Sequence, residues 1–250
     1  MALSLAHGTT SYRREVCGLF FERMRVLRNN LGIELLVVGS DGLSSRDMVK
    51  NKGHHYLEFD NRPVSNKWNA GMAEIKKHHP THVIILGSDD FVSDSLIERY
   101  ILEIENGFDG VMGIYDSYFI TLSNINPHFN KCVYWGGYNS RVIIGSAMCV
   151  PSRILDALGW SPWASGKNAG LDSFIHRNMR RSGEKYDVKG FYVKDEGWLH
   201  IDIKTRGNIS SMSFIAPQSP KVDFEELMLS YLPEEEANNI IAYRDSCLVN

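Results

Sequence analysis

Residues 82–91 read HVIILGSDDF, an apolar run of strand length that ends at two adjacent carboxylates, Asp89 and Asp90. A continuous Val/Ile/Leu run is typical of a strand that is buried on both faces of a parallel sheet, whereas a half-exposed strand alternates apolar and polar residues. Ligands of open α/β sheets bind at the carboxyl ends of such strands. The stretch therefore predicts both a parallel sheet and a ligand site at its edge.

The two carboxylates allow two interpretations. Adjacent acids repel each other unless a cation lies between them and a ligand, and a divalent metal that carries a nucleotide diphosphate would fit. The other interpretation is that Asp90 or Ser93 only caps the helix that begins near Ser95. The rest of the chain favours the first interpretation.

The segments around this strand alternate between strand and helix patterns. This alternation predicts an α/β fold with a mostly parallel sheet wrapped by helices. The predicted strands before residue 108 are 2–6, 33–38, 54–59 and 82–87, and the predicted helices are 11–30, 65–79 and 94–106.

The pattern changes after residue 108, but no domain boundary is visible. We expect one continuous domain, with a nucleotide-binding half at 1–107 and an acceptor-binding and catalytic half at 108–250. A mobile segment is predicted at 197–220, which carries Gly, Ser and Pro. The other elements predicted in this half are strands at 111–114, 119–122, 133–135, 142–144, 186–188 and 191–193, helices at 151–158 and 171–181, and a helical tail at 223–244.

The composition describes an ordinary globular chain. Of its 250 residues 43% are hydrophobic, and the formal net charge is −3, which gives no strong attraction to nucleic acid or to anionic membranes. Cys17, Cys132, Cys149 and Cys247 form no CxxC pair, which indicates thiols in a reducing compartment. No apolar run approaches the ~20 residues of a membrane span. We therefore expect a cytoplasmic protein, in the host cytoplasm if the source is viral.

Three predicted strand ends share one edge of the sheet. The first strand ends near Thr9, the second runs into Asp41 and Gly42, and the fourth ends at Asp89 and Asp90. Asp41 could accept hydrogen bonds from a base or a sugar. Asp-Gly is also common in plain turns, so this pair alone does not decide between a site and a turn.

The ordered set of motifs in this half resembles the nucleotide half of GT-A glycosyltransferases, in particular glycosyltransferase family 2. The motifs are GSDG at 39–42, KWNAGM at 67–72 and ILGSDD at 85–90. The resemblance implies a nucleotide-sugar donor, a UDP-sugar in the first place, bound by Thr9, Asp41, Lys67, Asn69 and Asp89.

One position departs from the family pattern, which has an acid where this chain has Gly87. Asp89 and Asp90 must then hold the ribose and the metal between them. We assign Asp90 to the metal and Asp89 to the ribose or to a metal-bound water. Oxygen ligands of this kind suit Mn²⁺ or Mg²⁺.

The second half is similar to the acceptor half of the same family, in RVIIGSAMCVPSR at 141–153 and GLD at 170–172. The resemblance places Arg141 and Ser146 beside the donor and makes Asp172 the catalytic base. The alternative for Asp172 is a carboxylate favoured by the dipole at a helix N-terminus.

Three aromatic or imidazole side chains complete the candidate site. The resemblance makes His200 a metal ligand, followed by a loop at 206–211 that closes over the donor; the alternative is a packed histidine at a strand end. Trp160 and Trp163 lie among Gly and Pro and are predicted to form an acceptor-binding wall, although core packing is the commoner role of tryptophan. The basic stretch at 177–185 is either a solvated face or an anionic-acceptor contact.

The resulting hypothesis is a metal-dependent, inverting transfer of a sugar from a nucleotide diphosphate to the hydroxyl of a glycan or other compound. A nucleotidyltransferase would need a Gly-x-Gly-x-Arg phosphate loop, which the stretch 7–10 lacks. Two alternatives stay open: a phage-type enzyme that glycosylates a hydroxylated base in modified DNA, and a catalytically inactive GT-A-like binding protein, which the missing acid at Gly87 favours. The oligomeric state cannot be read from the chain.

Overall fold

The computed structural model describes residues 2–7, 14–122, 132–138, 142–204 and 219–249. Its strands are β1 (Ala2–His7), β2 (Glu34–Gly39), β3 (His55–Glu58), β4 (His82–Gly87), β5 (Asp90–Val92), β6 (Val111–Ile114), β7 (Ser117–Thr121), β8 (Cys132–Trp135), β9 (Met148–Pro151), β10 (Val188–Phe191) and β11 (His200–Lys204). Its helices are α1 (Arg14–Leu31), α2 (Leu43–Lys50), α3 (Val64–Ile75), α4 (Asp94–Glu105), α5 (Ser152–Ala157), α6 (Leu171–Arg181), α7 (Val193–Glu196), α8 (Phe224–Tyr231) and α9 (Glu234–Val249).

Seven strands form the main sheet, in the order β10-β6-β9-β4-β1-β2-β3. Strands β4, β1, β2 and β3 pair in parallel, and β9 pairs antiparallel with both β4 and β6. Because β9 and β6 come from the second half of the chain, the two predicted halves share one sheet. The expected single α/β domain with a mostly parallel sheet is confirmed.

A second, four-stranded sheet begins where β4 ends. Its order is β5-β11-β7-β8, and only Ser88 and Asp89 separate β4 from β5. Strand β11 runs antiparallel to β5, so that Asp202 lies opposite Asp90. The adjacent carboxylates of the sequence therefore lie at the junction of the two sheets.

The burial of β4 explains its continuous apolar run. Ile84 and Leu86 point into one core cluster, and Val83 and Ile85 point into the other. Alternate side chains of a strand face opposite sides of the sheet, so both sides of β4 are covered. The first cluster includes residues of α1, α4 and α9, and the second includes residues of α3, α5 and α6.

Several predictions of secondary structure are wrong. The strands predicted at 186–188 and 191–193 are a single strand, β10, followed by α7, and β5 was not predicted. Residues 142–144 form no strand; the strand of this region is β9. Helix α2 was not predicted, and the tail consists of two helices, α8 and α9. The segment 197–220 was predicted to be mobile, but its first part contains β11, whose first four residues are buried. Residues 205–218 lie outside the described part of the chain.

Two further features concern the described helices and the cysteines. No described helix combines the length and apolar character that crossing a bilayer requires. The four cysteines, all within the described residues, form no disulfide, and Cys17, Cys132 and Cys149 are buried.

Candidate active site

Three buried carboxylates converge at the junction of the two sheets. Asp89 and Asp90 come from the turn between β4 and β5, and Asp202 comes from the middle of β11. One oxygen from each side chain lies within 4.8 Å of the other two, a spacing that a single metal ion could bridge. Asp202 was not among the predicted site residues. The sequence pattern that could have identified Asp202 is the alternation of His200, Asp202 and Lys204, because residues two apart in a strand have their side chains on one face.

Gly87 makes room for the cluster. Its amide donates a hydrogen bond to Asp90 Oδ2 at 2.6 Å. A Cβ atom at this position would lie 2.8 Å from Asp90 Oδ2 and 2.9 Å from Asp89 Oδ1. Gly87 stands where the family pattern has an acid, and the carboxylates of Asp89 and Asp90 pack against it.

The charges of the cluster are unbalanced. Burial, and then the nearby Asp89, raise the pKa of Asp202 well above its ordinary value. Lys204 forms a salt bridge with Asp202. Burial alone would lower the pKa of Lys204, but the three carboxylates outweigh it and the pKa is raised. Three carboxylates with one ammonium leave a formal charge of −2 in a buried site.

A divalent cation fits this set of groups. Asp202 Oδ1 is buried and has no hydrogen-bond partner among the described residues. A buried carboxylate oxygen without a partner is costly, and a metal would supply that partner. The donor set consists of carboxylate oxygens, which are ligands that Mg²⁺ and Mn²⁺ prefer.

His200 lies beside the cluster and is held by two serines. Its Nδ1 is 2.6 Å from Ser117 Oγ, and its Nε2 is 2.8 Å from Ser146 Oγ. Ser146 Oγ donates to Asp90 Oδ2 at 2.5 Å, so its oxygen is left to accept from an Nε2–H group. Burial lowers the pKa of His200, which favours this neutral form.

The predicted metal role of His200 therefore stays untested. Its Nε2 lies 3.9 Å from Asp90 Oδ1, and ligation through Nε2 would require the bond to Ser146 to break. In the geometry observed, His200 and Ser146 orient the Asp90 carboxylate. Ser146 was predicted to contact the donor and lies next to the carboxylates.

Asp172 is in the first turn of α6 and reaches toward the same site. The Gly145 amide hydrogen-bonds to its carboxylate, and a Cβ at position 145 would lie 2.2 Å from Asp172 Oδ1. Burial raises the pKa of Asp172, and the charge of Asp90 raises it further. The predicted base thus lies within electrostatic reach of the carboxylate cluster, with a proton affinity above that of an ordinary aspartate.

The donor-binding residues predicted in the first half of the chain do not all face the carboxylate cluster: the Lys67 ammonium and Asp41 lie at the end of β2. Lys67 is fully buried, and its Nζ donates to Ser40 Oγ and to Asn61 Oδ1, both at 3.2 Å. Ser40 follows β2 and precedes Asp41, which is partly buried and accepts from Ser45 Oγ at 3.4 Å. Lys67 therefore supports the loop that carries Asp41. Thr9 and Arg141 lie outside the described residues.

Asn69 connects the two halves of the chain. Its Nδ2 donates to the Trp163 carbonyl at 2.8 Å, and the Trp163 amide donates to its Oδ1 at 3.2 Å. Asn66 makes two further bonds of this kind, to Ser165 Oγ and the Gly166 amide. With both ends of its amide engaged, Asn69 fastens the loop after α5 to α3, and its predicted donor contact stays untested.

The two tryptophans assigned to the acceptor are buried. Trp160 and Trp163 are each 4% exposed and belong to the second core cluster. Trp163 packs on Trp68 with ring centroids 5.3 Å apart, and Trp160 Nε1 donates to Asp156 Oδ1. This burial argues for a packing role and against an exposed wall, so the acceptor contact remains a prediction without structural support.

A cavity of about 420 Å³ lies away from these groups. It is lined by residues 107–110, 185–187 and Arg153, at the start of β6 and β10. The carboxylates lie at the other edge of the sheet, where β4 ends. The convergence of ionisable groups, and not this cavity, therefore marks the candidate site.

The chain matches no protein-family model and no curated protein sequence. Solved structures do resemble it. A crystal structure of S. aureus TarS 1–349 in complex with UDP-GlcNAc is 14% identical with a TM-score of 0.54, over 99% of this chain and 70% of that one. The mannosyltransferase PcManGT from Pyrobaculum calidifontis, in complex with GDP-Man and Mn²⁺, is 9% identical with a TM-score of 0.52, over 99% and 69%.

The chain has a GT-A fold. At these identities the likeness establishes the fold alone, and membership of family 2 is not confirmed. In this GT-A chain the three carboxylates lie at the carboxyl end of β4, the edge where open α/β sheets bind their ligands.

Proposed function

We propose that the protein transfers a sugar from a nucleotide diphosphate sugar to an acceptor hydroxyl, with a divalent metal, in the cytoplasm. One observation carries the proposal: in a GT-A fold, Asp89, Asp90 and Asp202 form a buried carboxylate cluster within electrostatic reach of Asp172. Two solved structures that resemble this chain hold nucleotide sugars, UDP-GlcNAc in TarS and GDP-Man in PcManGT.

Asp90 and Asp202 would hold the metal, with Asp89 beside them on the ribose or on a metal-bound water. Mn²⁺ or Mg²⁺ would neutralise the negative charge that develops on the departing diphosphate. His200 and Ser146 keep the Asp90 carboxylate in place through the bonds described above. Lys204 supplies a second positive charge on the same face of β11.

Asp172 would accept the proton of the attacking hydroxyl. Its raised pKa makes it a better base than an ordinary aspartate, and general base catalysis is worth typically ~10²–10⁴-fold. Attack on the anomeric carbon from the side opposite the diphosphate inverts its configuration. Because one base and one leaving-group site suffice for this reaction, the proposal needs no second nucleophile.

The nucleobase would lie at the end of β2, beside Asp41 and the loop that Lys67 supports. Tyr56 packs on Gly39 at this end, where a Cβ would lie 2.4 Å from the Tyr56 ring. We expect UDP to bind in preference to other nucleotides, on the strength of the motif resemblance. Thr9 and Arg141 complete the predicted donor site.

Thermal melting with UDP, GDP, CDP and ADP, each with and without Mn²⁺, tests the proposal. A nucleotide at ~100 times its dissociation constant adds about 2.7 kcal/mol, or several degrees for a chain of this size. We expect a Mn²⁺-dependent shift with one nucleotide, lost in Asp90→Ala and retained in Asp172→Ala and in the exposed-surface control Asp47→Asn.

Turnover of the matching nucleotide sugar separates an enzyme from an inactive binding protein. We expect hydrolysis or transfer with the wild type and none with Asp172→Ala. A shift without turnover on glycosides or on hydroxymethylated DNA would favour the inactive reading. Turnover on hydroxymethylated DNA alone would favour the DNA-modifying alternative, and the absence of any nucleotide shift would overturn the proposal.

A further inference from the structure

We propose that Trp135 and Tyr138 form the acceptor subsite, and that the acceptor presents a sugar ring to them. This inference rests on the proposed function and names the substrate class of the same site. It replaces the buried Trp160 and Trp163 with aromatic side chains that remain accessible: Trp135 is partly exposed and Tyr138 is 47% exposed.

The strand register places Trp135 on the face of the smaller sheet that carries the carboxylates. Trp135 lies opposite Ser117 in the antiparallel β7–β8 pair, so the two side chains point to the same side. Ser117 Oγ contacts His200 Nδ1, which identifies that side as the one with His200 and Asp202. Tyr134, the preceding residue, points to the opposite side and packs on Tyr118.

Aromatic rings extend from the carboxylates to Trp135. Phe119 lies opposite Asp202 in the β7–β11 register and contacts Trp135 edge to face, with ring centroids 5.7 Å apart. Lys204 Nζ lies 6.0 Å from the Phe119 ring. Phe119 is buried but is not a member of either core cluster of the described residues. Trp135 packs against the first core cluster with part of its ring and is partly exposed, so the rest of the ring forms a surface beside the site.

The rings of Trp135 and Tyr138 meet nearly at a right angle, and these two side chains together form a corner. Their ring centroids are 5.0 Å apart and the rings are nearly perpendicular, at 87°. Gly137 adopts a φ of +83°, and a Cβ there would lie 1.7 Å from the Tyr115 carbonyl. The backbone thus turns tightly enough, through a glycine, to bring Tyr138 back against Trp135.

The corner is within the electrostatic influence of the predicted base. The pKa of Tyr138 is raised by burial and then by the charge of Asp172, which places the two side chains within electrostatic reach. A ligand that stacks on Trp135 would lie on the same face of the smaller sheet as the carboxylate cluster. The nucleobase is expected at the end of β2, on the other side of β4 and β1, which leaves this corner to the acceptor.

The apolar faces of a sugar ring suit such a corner. Binding pockets combine apolar and aromatic walls with a few polar groups that fix orientation. Here the walls are the rings of Trp135, Tyr138 and Phe119, and the polar groups are Asp172 and Lys204. A flexible alkyl alcohol would gain little from two rigid, perpendicular rings, whereas a pyranose could cover one of them.

Saturation-transfer NMR on the full chain tests the subsite without requiring turnover. The probes are the methyl glycosides of glucose, galactose, mannose and N-acetylglucosamine, with glycerol as the non-ring control. We expect signals from at least one glycoside and none from glycerol. Trp135→Leu and Tyr138→Leu should abolish the signals, Trp135→Phe should retain most of them, and Tyr186→Leu, at the distant cavity, should leave them unchanged.

Transfer kinetics with the responding glycoside give a second measurement. Trp135→Leu should raise its KM about tenfold, with a smaller change in kcat, because stacking contributes to binding. The melting shift with nucleotide and Mn²⁺ should be retained in this variant, which shows that a loss is not a failure to fold.

The outcomes separate this inference from the proposed function. Wild-type protein that binds no glycoside, or binding that Trp135→Leu and Tyr138→Leu leave intact, overturns the acceptor subsite even if the nucleotide shift is present. The nucleotide shift and donor hydrolysis, measured on the same samples, decide the proposed function independently.

Discussion

Asp202 should destabilise the metal-free protein, and Asp202→Asn should stabilise it. The substitution keeps the size of the side chain and removes one charge from a buried cluster of three carboxylates. Lys204, which loses its salt-bridge partner, is still held by the charges of Asp89 and Asp90, so no ammonium is left alone. The variant therefore isolates the repulsion within the cluster.

The size of the effect follows from the spacing of the carboxylates. At the 4.8 Å limit of the cluster and an effective dielectric constant of about 20, each pair of charges repels by roughly 3 kcal/mol. Asp202 faces two such charges, and the close salt bridge with Lys204 offsets most of that repulsion, so the net cost comes mainly from the burial of the Asp202 charge, which is the largest cause of its raised pKa. A net gain of roughly 1–2 kcal/mol in the free energy of unfolding follows, or about 2–8 °C in Tm.

The gain should depend on pH. Because the pKa of Asp202 is raised in the folded state, the folded protein binds this proton more tightly than the unfolded chain, whose aspartates titrate near ~3.9. The stability of the wild type therefore falls as pH rises above about 4 toward the folded-state pKa. Asp202→Asn lacks this loss, so its advantage should be small at pH 4 and large at pH 7.

Urea unfolding in EDTA measures the repulsion among the carboxylates, and urea unfolding in saturating Mn²⁺ measures how much the metal stabilises the protein. Mn²⁺ should stabilise the wild type by about 2.7 kcal/mol at ~100 times its dissociation constant, and should stabilise Asp202→Asn much less. The exposed control, Asp47→Asn, should follow the wild type. An Asp202→Asn protein that is less stable than the wild type in EDTA at pH 7 would refute the repulsion. An unchanged response to Mn²⁺ would refute the ligand role.

Three further variants test separate parts of the structure. Asp172→Asn should lower kcat by ~10²–10⁴-fold while the nucleotide–Mn²⁺ melting shift is retained, as single-turnover kinetics and melting would show. Asn69→Ala should lower the free energy of unfolding by about 1–3 kcal/mol, because it leaves the Trp163 amide and carbonyl without their partners; an unchanged urea midpoint would contradict the fastening of the loop. His82→Leu should raise stability by about 1–3 kcal/mol, since both ring nitrogens of His82 are buried without partners among the described residues. Because burial lowers the pKa of His82, the wild type should lose stability as pH falls below ~6.5 and the variant should lose less.

The central strand of the fold could be predicted because its chemistry is local. The apolar run of β4 needs cover on both faces, and that requirement alone predicts a parallel sheet with helices on each side. The position of Asp89 and Asp90 followed from the same run, since they come directly after it. Helix α6 was predicted with its observed bounds, and with it the place of Asp172 at a helix start.

The elements that sequence analysis missed lack such local signals. Helix α2 buries only Ser45 and Val49, so its apolar stripe is too narrow to register as a helix. Strand β9, which lies between β4 and β6 in the sheet, contains only four residues. A strand this short cannot be distinguished from a loop by the periodicity of its sequence. Its place was instead attributed to the more β-branched residues 142–144.

The third carboxylate required knowledge of strand pairing. Asp202 faces Asp90 only because β11 pairs antiparallel with β5, and no local pattern fixes which strands pair. The burial of Trp160 and Trp163 is of the same kind. Gly and Pro around them suggested an exposed loop, but the bonds from Asn66 and Asn69 draw that loop onto α3 and cover the rings.

The missing acid at position 87 and the presence of a third carboxylate at Asp202 can be explained together. By resemblance, the position of Gly87 should carry an acid, and its absence favoured an inactive protein. In the structure a side chain at position 87 would collide with the carboxylates of Asp89 and Asp90, whereas Asp202 enters the cluster from β11, opposite Asp90. The third carboxylate of the cluster is thus supplied by a residue from another strand. Lys204, two positions further on the same face, reduces their formal charge to −2, which a single divalent ion would neutralise. Three carboxylates buried this close together repel one another unless a cation lies between them, so the cluster favours a working metal site over an inactive one.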